Sequence, residues 1–105
     1  MEKLDDLIEK HNLPSPYFIK IDVEGAELEV LKGAERTLKN TEAVIADASI
    51  LPKYKGVPEL ADLVGAMQQY GFSVFDILAG SNHPDSGYLY QVDLVFVKTD
   101  SKLRQ

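Results

Sequence analysis

The chain has 105 residues, 45% of them hydrophobic, which predicts one globular domain with a modest core. It contains no cysteine, which excludes disulfides, thiolate metal sites and thiol catalysis and predicts a reducing, cytoplasmic location. The net charge of −6, with basic residues scattered along the chain, argues against nucleic acid and anionic lipid as partners. The sequence also shows no apolar run of membrane-spanning length and no secretory signal pattern.

The first predicted elements are a helix and a strand. Apolar residues recur at helical spacing until two prolines stop the pattern: Leu4, Leu7 and Ile8, then Pro14 and Pro16. The strand covers Tyr17 to Val23 and is apolar on both faces except at Lys20. This composition predicts a strand covered on both sides, as in a parallel sheet.

A second helix is predicted from Ala26 to Asn40 and a second apolar strand from Ala43 to Ala48, with Asp47 near the end of that strand. The unit from Tyr17 to Ala48 has the length of a right-handed crossover between parallel strands. We therefore expect the two strands to be parallel neighbours.

The rest of the chain predicts one more helix and an antiparallel hairpin. Pro58 suits the first turn of the helix, and Gly71 its end. The remaining predicted segments are a strand at Phe72–Leu78, a polar loop at Ala79–Gly87, a long strand at Tyr88–Lys98 and a flexible tail at 99–105. The predicted fold class is therefore α/β, with about four strands (a parallel pair and a C-terminal antiparallel hairpin) and about three helices.

Acidic residues follow the predicted parallel strands. Asp22 and Glu24 come at the end of the first strand, and Asp47 lies near the end of the second. Ligands bind at the carboxyl ends of strands in open α/β sheets, so we expect Asp22 and Asp47 to share one edge. Two carboxylates there could accept protons or bind hydroxyl groups, and a magnesium ion between them is a weaker alternative.

Several motifs in this chain resemble one family. The run Ile19-Lys20-Ile21-Asp22-Val23-Glu24-Gly25-Ala26-Glu27, followed by Val30-Leu31-Lys32-Gly33-Ala34, resembles the signature of the FkbM-type methyltransferases. Weaker similarities cover Leu4 to Leu7, Tyr54 to Pro58, Tyr70 to Phe72 and Asp93 to Val97. One departure is Asp47, since the family usually has Glu near this strand end.

The resemblance implies the C-terminal half of a Rossmann-like methyltransferase that uses S-adenosylmethionine to methylate hydroxyl groups of a sugar or natural product. For methyl transfer to a hydroxyl group we expect catalytic roles for Asp22 and Glu24, substrate contacts for Asp47 and Tyr54, and a further substrate contact from His83 in the polar loop, with no metal ion. A small-molecule or glycan acceptor is the implied partner. Two further acids have interpretations that do not depend on the family. Glu27 is expected to stabilise the helix dipole, and Asp93 is expected either to face solvent or to be held by a buried partner.

The glycine-rich turn that such enzymes use for the cofactor is absent, since the glycines never form a Gly-x-Gly pattern. The cofactor-binding residues are therefore expected outside this chain. A non-catalytic interaction module, or a truncated fragment of the fold, is the alternative. In either case the strand at residues 17–23 should be an unpaired edge, which predicts a homo-oligomer or pairing with a separate polypeptide. A phosphoacceptor signalling domain fits poorly, because only one helix separates Asp22 from Asp47.

Overall fold

The computed structural model describes residues 3–22, 26–50 and 59–105. Within them the chain forms four α-helices, four strands and one 3-10 helix. In order these are α1 (Leu4–His11), β1 (Tyr17–Ile21), α2 (Glu27–Lys32), α3 (Glu35–Leu38), β2 (Thr41–Ser49), α4 (Leu60–Gln69), β3 (Phe72–Asn82), β4 (Leu89–Lys98) and the 3-10 helix Lys102–Arg104.

The strands form one mixed sheet in the order β1-β2-β4-β3. β1 pairs with β2 in parallel, whereas β4 is antiparallel to both of its neighbours. The α/β prediction, with a parallel pair and a terminal antiparallel hairpin, is confirmed. In the described sheet β1 is an edge strand, as the sequence predicted.

The core lies on one face of the sheet. Alternate residues of β2 and β4 point to it, and their register places Val44 opposite Phe96 and Ala46 opposite Leu94. The helices cover this face with Leu31, Leu38, Leu63 and Met67, all of which are buried. Each large apolar side chain buried there contributes about 1.5 to 3 kcal/mol relative to exposure.

The other face of β1 is open. Phe18 is 76% exposed and Lys20 is also exposed, so the predicted covering on both sides is wrong for the described structure. The prediction relied on the apolar composition of β1. In the structure the residues of this strand alternate between exposed positions and positions that are partly or fully buried. The open face matters for function because Lys20 lies on it, two residues before Asp22, and the two side chains start from the same side of the strand.

The predicted single helix from Ala26 to Asn40 is two helices, so the described chain has four α-helices where about three were predicted. The break falls at Gly33 and Ala34, where the start of α1 packs closely against Gly33. There the amide of Asp5 donates to the Gly33 carbonyl (2.9 Å). Glycine also weakens a helix interior, so this long-range contact replaces the continuing helical turn.

Asp5 also caps the second of these helices. Its carboxylate accepts hydrogen bonds from the amides of Arg36 (3.0 Å) and Thr37 (2.8 Å) and from the Thr37 hydroxyl (2.6 Å). A cap normally comes from the residue just before the helix, but here it comes from a distant helix. The sequence pattern could not predict this contact.

The hairpin between β3 and β4 is longer than predicted. The connection spans only residues 83–88, because Gly80, Ser81 and Asn82 pair with β4. Their polar composition predicted a loop, but their backbone groups pair with β4 and so extend the strand. β3 fits β4 only with three shifts of register, typical of β-bulges.

The C-terminal part begins with a capped helix and ends with a short 3-10 helix. α4 begins at Leu60 with a reciprocal capping arrangement between Glu59 and Asp62, whereas Pro58 lies outside the described residues. The tail predicted to be flexible contains a 3-10 helix, in which the Arg104 guanidinium donates to the Thr99 carbonyl (2.6 Å). Across residues 3–22, 26–50 and 59–105, each helix is too short or too polar to cross a bilayer.

The Asp5 cap generates a testable prediction. Asp5→Ala should lower the free energy of unfolding by about 2 kcal/mol, because it removes an ionised acceptor from two amides and a hydroxyl. Asp6→Ala is the matched control, since it removes a 3.7 Å surface ion pair with Arg36 and should cost less than about 1 kcal/mol. Urea denaturation measures both, and equal losses would contradict the capping role.

Candidate functional site

Three aspartates meet at one edge of the sheet. The parallel register pairs Ile21 with Ala46, and Asp22 and Asp47 each follow one member of this pair. The antiparallel register then places Asp93 of β4 directly opposite Asp47. Two strands and the residue after a third thus bring together carboxylates that are far apart in sequence.

The carboxyl groups interact with one another. A hydrogen bond with Asp93, burial and the charge of Asp93 raise the pKa of Asp47 to about 7, and a hydrogen bond and the charge of Asp22 add to this effect. Two adjacent carboxylates resist ionising together, so one proton between them is favoured. With its pKa at about 7, Asp47 is protonated in part of the molecules at neutral pH, and in that form its carboxyl can donate a hydrogen bond.

These aspartates line a cavity of about 220 Å³. Its other polar lining residues are Lys20, Ser81 and Gln91. Ala79 stands opposite Asp93 on β3, so a small side chain borders the carboxylates on that side. The cavity can therefore hold a small polar ligand through several hydrogen bonds.

A second, larger groove of about 430 Å³ runs beside β1. Its lining is mainly apolar and comes from α1, β1 and α2, with Leu4, Leu7, Ile19 and Val30. Lys20 and Asp22 line both the groove and the cavity. The end of β1 therefore joins the two spaces.

The predicted site residues do not all lie together. It brings Asp22 and Asp47 together, whereas Glu24 and Tyr54 lie outside the described residues. His83 does not line the cavity. Its Nδ1 accepts from the amides of Asp85 (3.2 Å) and Ser86 (3.4 Å), and its ring meets Tyr90 edge-on at 6.1 Å. These contacts stabilise the hairpin connection.

Sequence reasoning missed Asp93 as a member of the site. The sequence shows one acid within an apolar strand and predicts solvent exposure or a buried partner, but the observed partner is another carboxyl group. Only the register of β2 on β4 reveals this pairing. Glu27, expected to act on the helix dipole, does lie in the first turn of α2 but is only 4% exposed.

The described ranges contain no group of three His, Cys, Asp or Glu side chains with a geometry suited to a metal ion. Within these same residues, hydrogen bonds join Asp47 to Asp93 and to Asp22.

The family of the chain follows from a comparison with known families. Residues 1–74 match the model of the Methyltransferase FkbM domain. The chain belongs to this family. It is also 45% identical over 51 residues to a hexuronic acid methyltransferase, AglP, of Haloferax volcanii. This match spans 47% of the chain but only 21% of that relative's length.

Membership of the FkbM methyltransferase family confirms the resemblance seen in the sequence and supports a methyltransferase. It also implies S-adenosylmethionine as the cofactor. The match includes β1, α2, α3, β2 and α4. Asp22 and Asp47 therefore lie inside the matched region, while Asp93 follows it.

The raised pKa of Asp47 predicts how stability depends on pH. Between 3.8 and about 7 the folded chain keeps a proton that the unfolded chain loses, so stability should fall as pH rises through this window. Solvent screening of these partly exposed groups limits the expected loss to about 1 kcal/mol. Urea denaturation at intervals across the window measures it.

Asp93→Asn tests the cause of this dependence. An amide at this position lacks the charge and can donate to the Asp47 carboxylate, so the pKa of Asp47 should fall and the pH dependence should weaken. Asp100→Asn is the control, because Asp100 is an exposed carboxylate outside the cavity. Carboxyl-carbon NMR reads the Asp47 titration directly. An unchanged titration in Asp93→Asn would contradict the coupling.

Proposed function

We propose that this chain forms the acceptor side of an S-adenosylmethionine-dependent O-methyltransferase that acts on a hydroxyl group of a sugar or similar natural product. The observation that carries the proposal is the cavity lined by Asp22, Asp47 and Asp93 in a chain that belongs to the FkbM methyltransferase family. A carboxylate can accept a hydrogen bond from a hydroxyl group and act as the general base that removes its proton.

The lining of the cavity supports a sugar-like acceptor. A sugar presents neighbouring hydroxyl groups, each of which can donate and accept a hydrogen bond, and the cavity offers carboxylates, Ser81 and Gln91 as partners. The Haloferax relative is named for a hexuronic acid, which is a sugar carrying a carboxylate. An acidic sugar is therefore the acceptor we propose first.

Asp22 and Asp47 have complementary roles in this proposal. Asp22 accepts the hydrogen bond of the reacting hydroxyl and takes its proton as the oxygen becomes methylated. In its protonated form, which its raised pKa of about 7 makes accessible near neutral pH, Asp47 donates to a neighbouring acceptor oxygen and fixes the orientation of the sugar. Orientation of this kind contributes to the rate because the reacting oxygen must lie in line with the methyl group.

The described residues do not fit the cofactor by themselves. Among the glycines of the described ranges, positive φ values occur at Gly71 and Gly87, which end a helix and a hairpin connection and are not part of a phosphate- or adenosine-binding turn. The described residues that line the groove beside β1 are mainly apolar, and Gly33 is the glycine among them. We therefore propose that other residues supply the cofactor site, and the described chain supplies the acceptor side of one domain.

The proposal also gives secondary roles to Glu24, Tyr54 and His83. Glu24 and Tyr54 are proposed from the family motif to contact the cofactor or the acceptor. His83 is proposed to reach a substrate only if its contacts in the hairpin connection are exchanged. The cytoplasmic location remains a prediction from the absence of cysteine.

Asp22→Asn tests the acceptor site. Loss of the carboxylate should weaken binding of glucose, a neutral probe that the aspartates do not repel, by about tenfold or more, because a hydrogen bond to a charged group is worth about 1.5 to 3 kcal/mol. Asp100→Asn should bind like the wild type. Amide-resolved NMR titration measures the affinities, and tritiated S-adenosylmethionine in equilibrium dialysis measures cofactor binding. Wild-type affinity in Asp22→Asn would contradict the role of Asp22, and tight cofactor binding by this chain alone would contradict the proposed division.

A non-catalytic interaction module is the second candidate, and the edge strand favours it. β1 pairs with β2 on one side, Phe18 on it is 76% exposed, and the apolar groove lies beside it. An edge with unpaired backbone groups recruits another strand. In this candidate β1 associates with a second copy, whereas pairing of β1 with a polypeptide that carries the glycine-rich half would complete the methyltransferase proposed above.

Ile19→Lys tests association through β1. Light scattering over a concentration series should show that the wild type associates and that the variant, with a charge in the groove beside β1, remains monomeric. Leu103→Lys is the control, since Leu103 is 65% exposed and lies in the 3-10 helix. A wild type that stays monomeric at high concentration would contradict self-association, and the glycine-rich polypeptide would then be the partner to test.

A further inference from the structure

Lys20 occupies a distinctive position beside the cavity. It lies on β1, two residues before Asp22, so both side chains start from the same face of the strand. Its side chain is exposed and lines the cavity together with Asp22, Asp47 and Asp93. Lys20 is therefore the cation among the acidic groups of this space.

The ammonium group of Lys20 is available to a ligand. In the part of the chain that the structure describes, the ion pairs involve Arg36, which contacts Asp5, Asp6 and Glu9, and none involves Lys20. The causes that raise the pKa of Asp47 do not include Lys20 either. A strongly hydrated, flexible ammonium in the lining of a cavity suits a charged ligand group better than a fixed internal contact.

Charge explains why this position matters for selectivity. Carboxylates alone would repel an acidic ligand, although the proton held near Asp47 reduces this repulsion at neutral pH. A cation at the border supplies the opposing attraction. A sugar whose hydroxyls face the aspartates can then place its carboxylate towards Lys20.

We propose that Lys20 is a specificity-determining residue, which selects an acidic sugar over a neutral sugar of the same shape by pairing with its carboxylate. The inference rests on the proposed acceptor site. It assigns hydroxyl recognition to the aspartates and recognition of the acidic group to Lys20. Selection of this kind is a difference between two affinities, which makes it measurable without the methyl transfer reaction.

The test compares two named probes, glucuronate and glucose, by amide-resolved NMR titration of the full chain. The wild type should bind glucuronate about two- to fivefold more tightly than glucose, the range expected of a solvent-exposed ion pair. Lys20→Gln should abolish or reverse this preference, because the carboxylates that remain repel glucuronate, while glucose still binds and so shows that the variant is folded. Lys20→Arg should keep the preference, and about 1 M salt should suppress it in the wild type.

Lys39→Gln is the matched control. Lys39 is also exposed but lies just before β2, at the opposite end of the strand from Asp47, so its removal should leave the preference intact. A preference that survives in Lys20→Gln would overturn the inference. Equal binding of the two sugars by the wild type would also overturn it while leaving the acceptor site in place. Binding of neither sugar would overturn the proposed acceptor site and, with it, this inference.

Discussion

The register of β2 on β4 is the constraint on which the rest of the structure depends. It pairs Val44 with Phe96 and Ala46 with Leu94 on the buried face, and the same register pairs Asp47 with Asp93 on the other face. A shift of one residue would exchange the two faces of the strand, exposing the core residues and burying the acids. The hydrophobic core therefore fixes the geometry of the polar site.

This coupling explains how a small sheet can hold two acids side by side. Bringing Asp47 and Asp93 together raises the pKa of Asp47, which is unfavourable for the ionised pair. The buried contacts of Phe96 and Leu94 on the other side of the same strand oppose this cost. A raised pKa such as that of Asp47 is common at sites where side chains donate or accept protons.

The sequence predicted the elements whose pattern is local. The parallel pair of β1 and β2, the hairpin, and the placement of Asp22 with Asp47 follow from apolar runs and from the rule for strand ends. The break at Gly33 and the capping of α3 by Asp5 depend on a contact between distant helices. Asp93 needed a strand register, and the length of β3 depended on backbone pairing of polar residues, so neither could be predicted from local composition.

The two edges of the described sheet differ, and this difference limits how copies of the chain could associate. β1 offers a short edge with one irregularity, at Tyr17 and Phe18, whereas β3 carries three register shifts along its length. Bulges twist an edge away from a flat partner. A chain with two regular edges can add copies without end, whereas a chain with one usable edge joins a second copy across a two-fold axis and stops. If β1 recruits a second copy, the irregular β3 would favour a closed pair over a fibre.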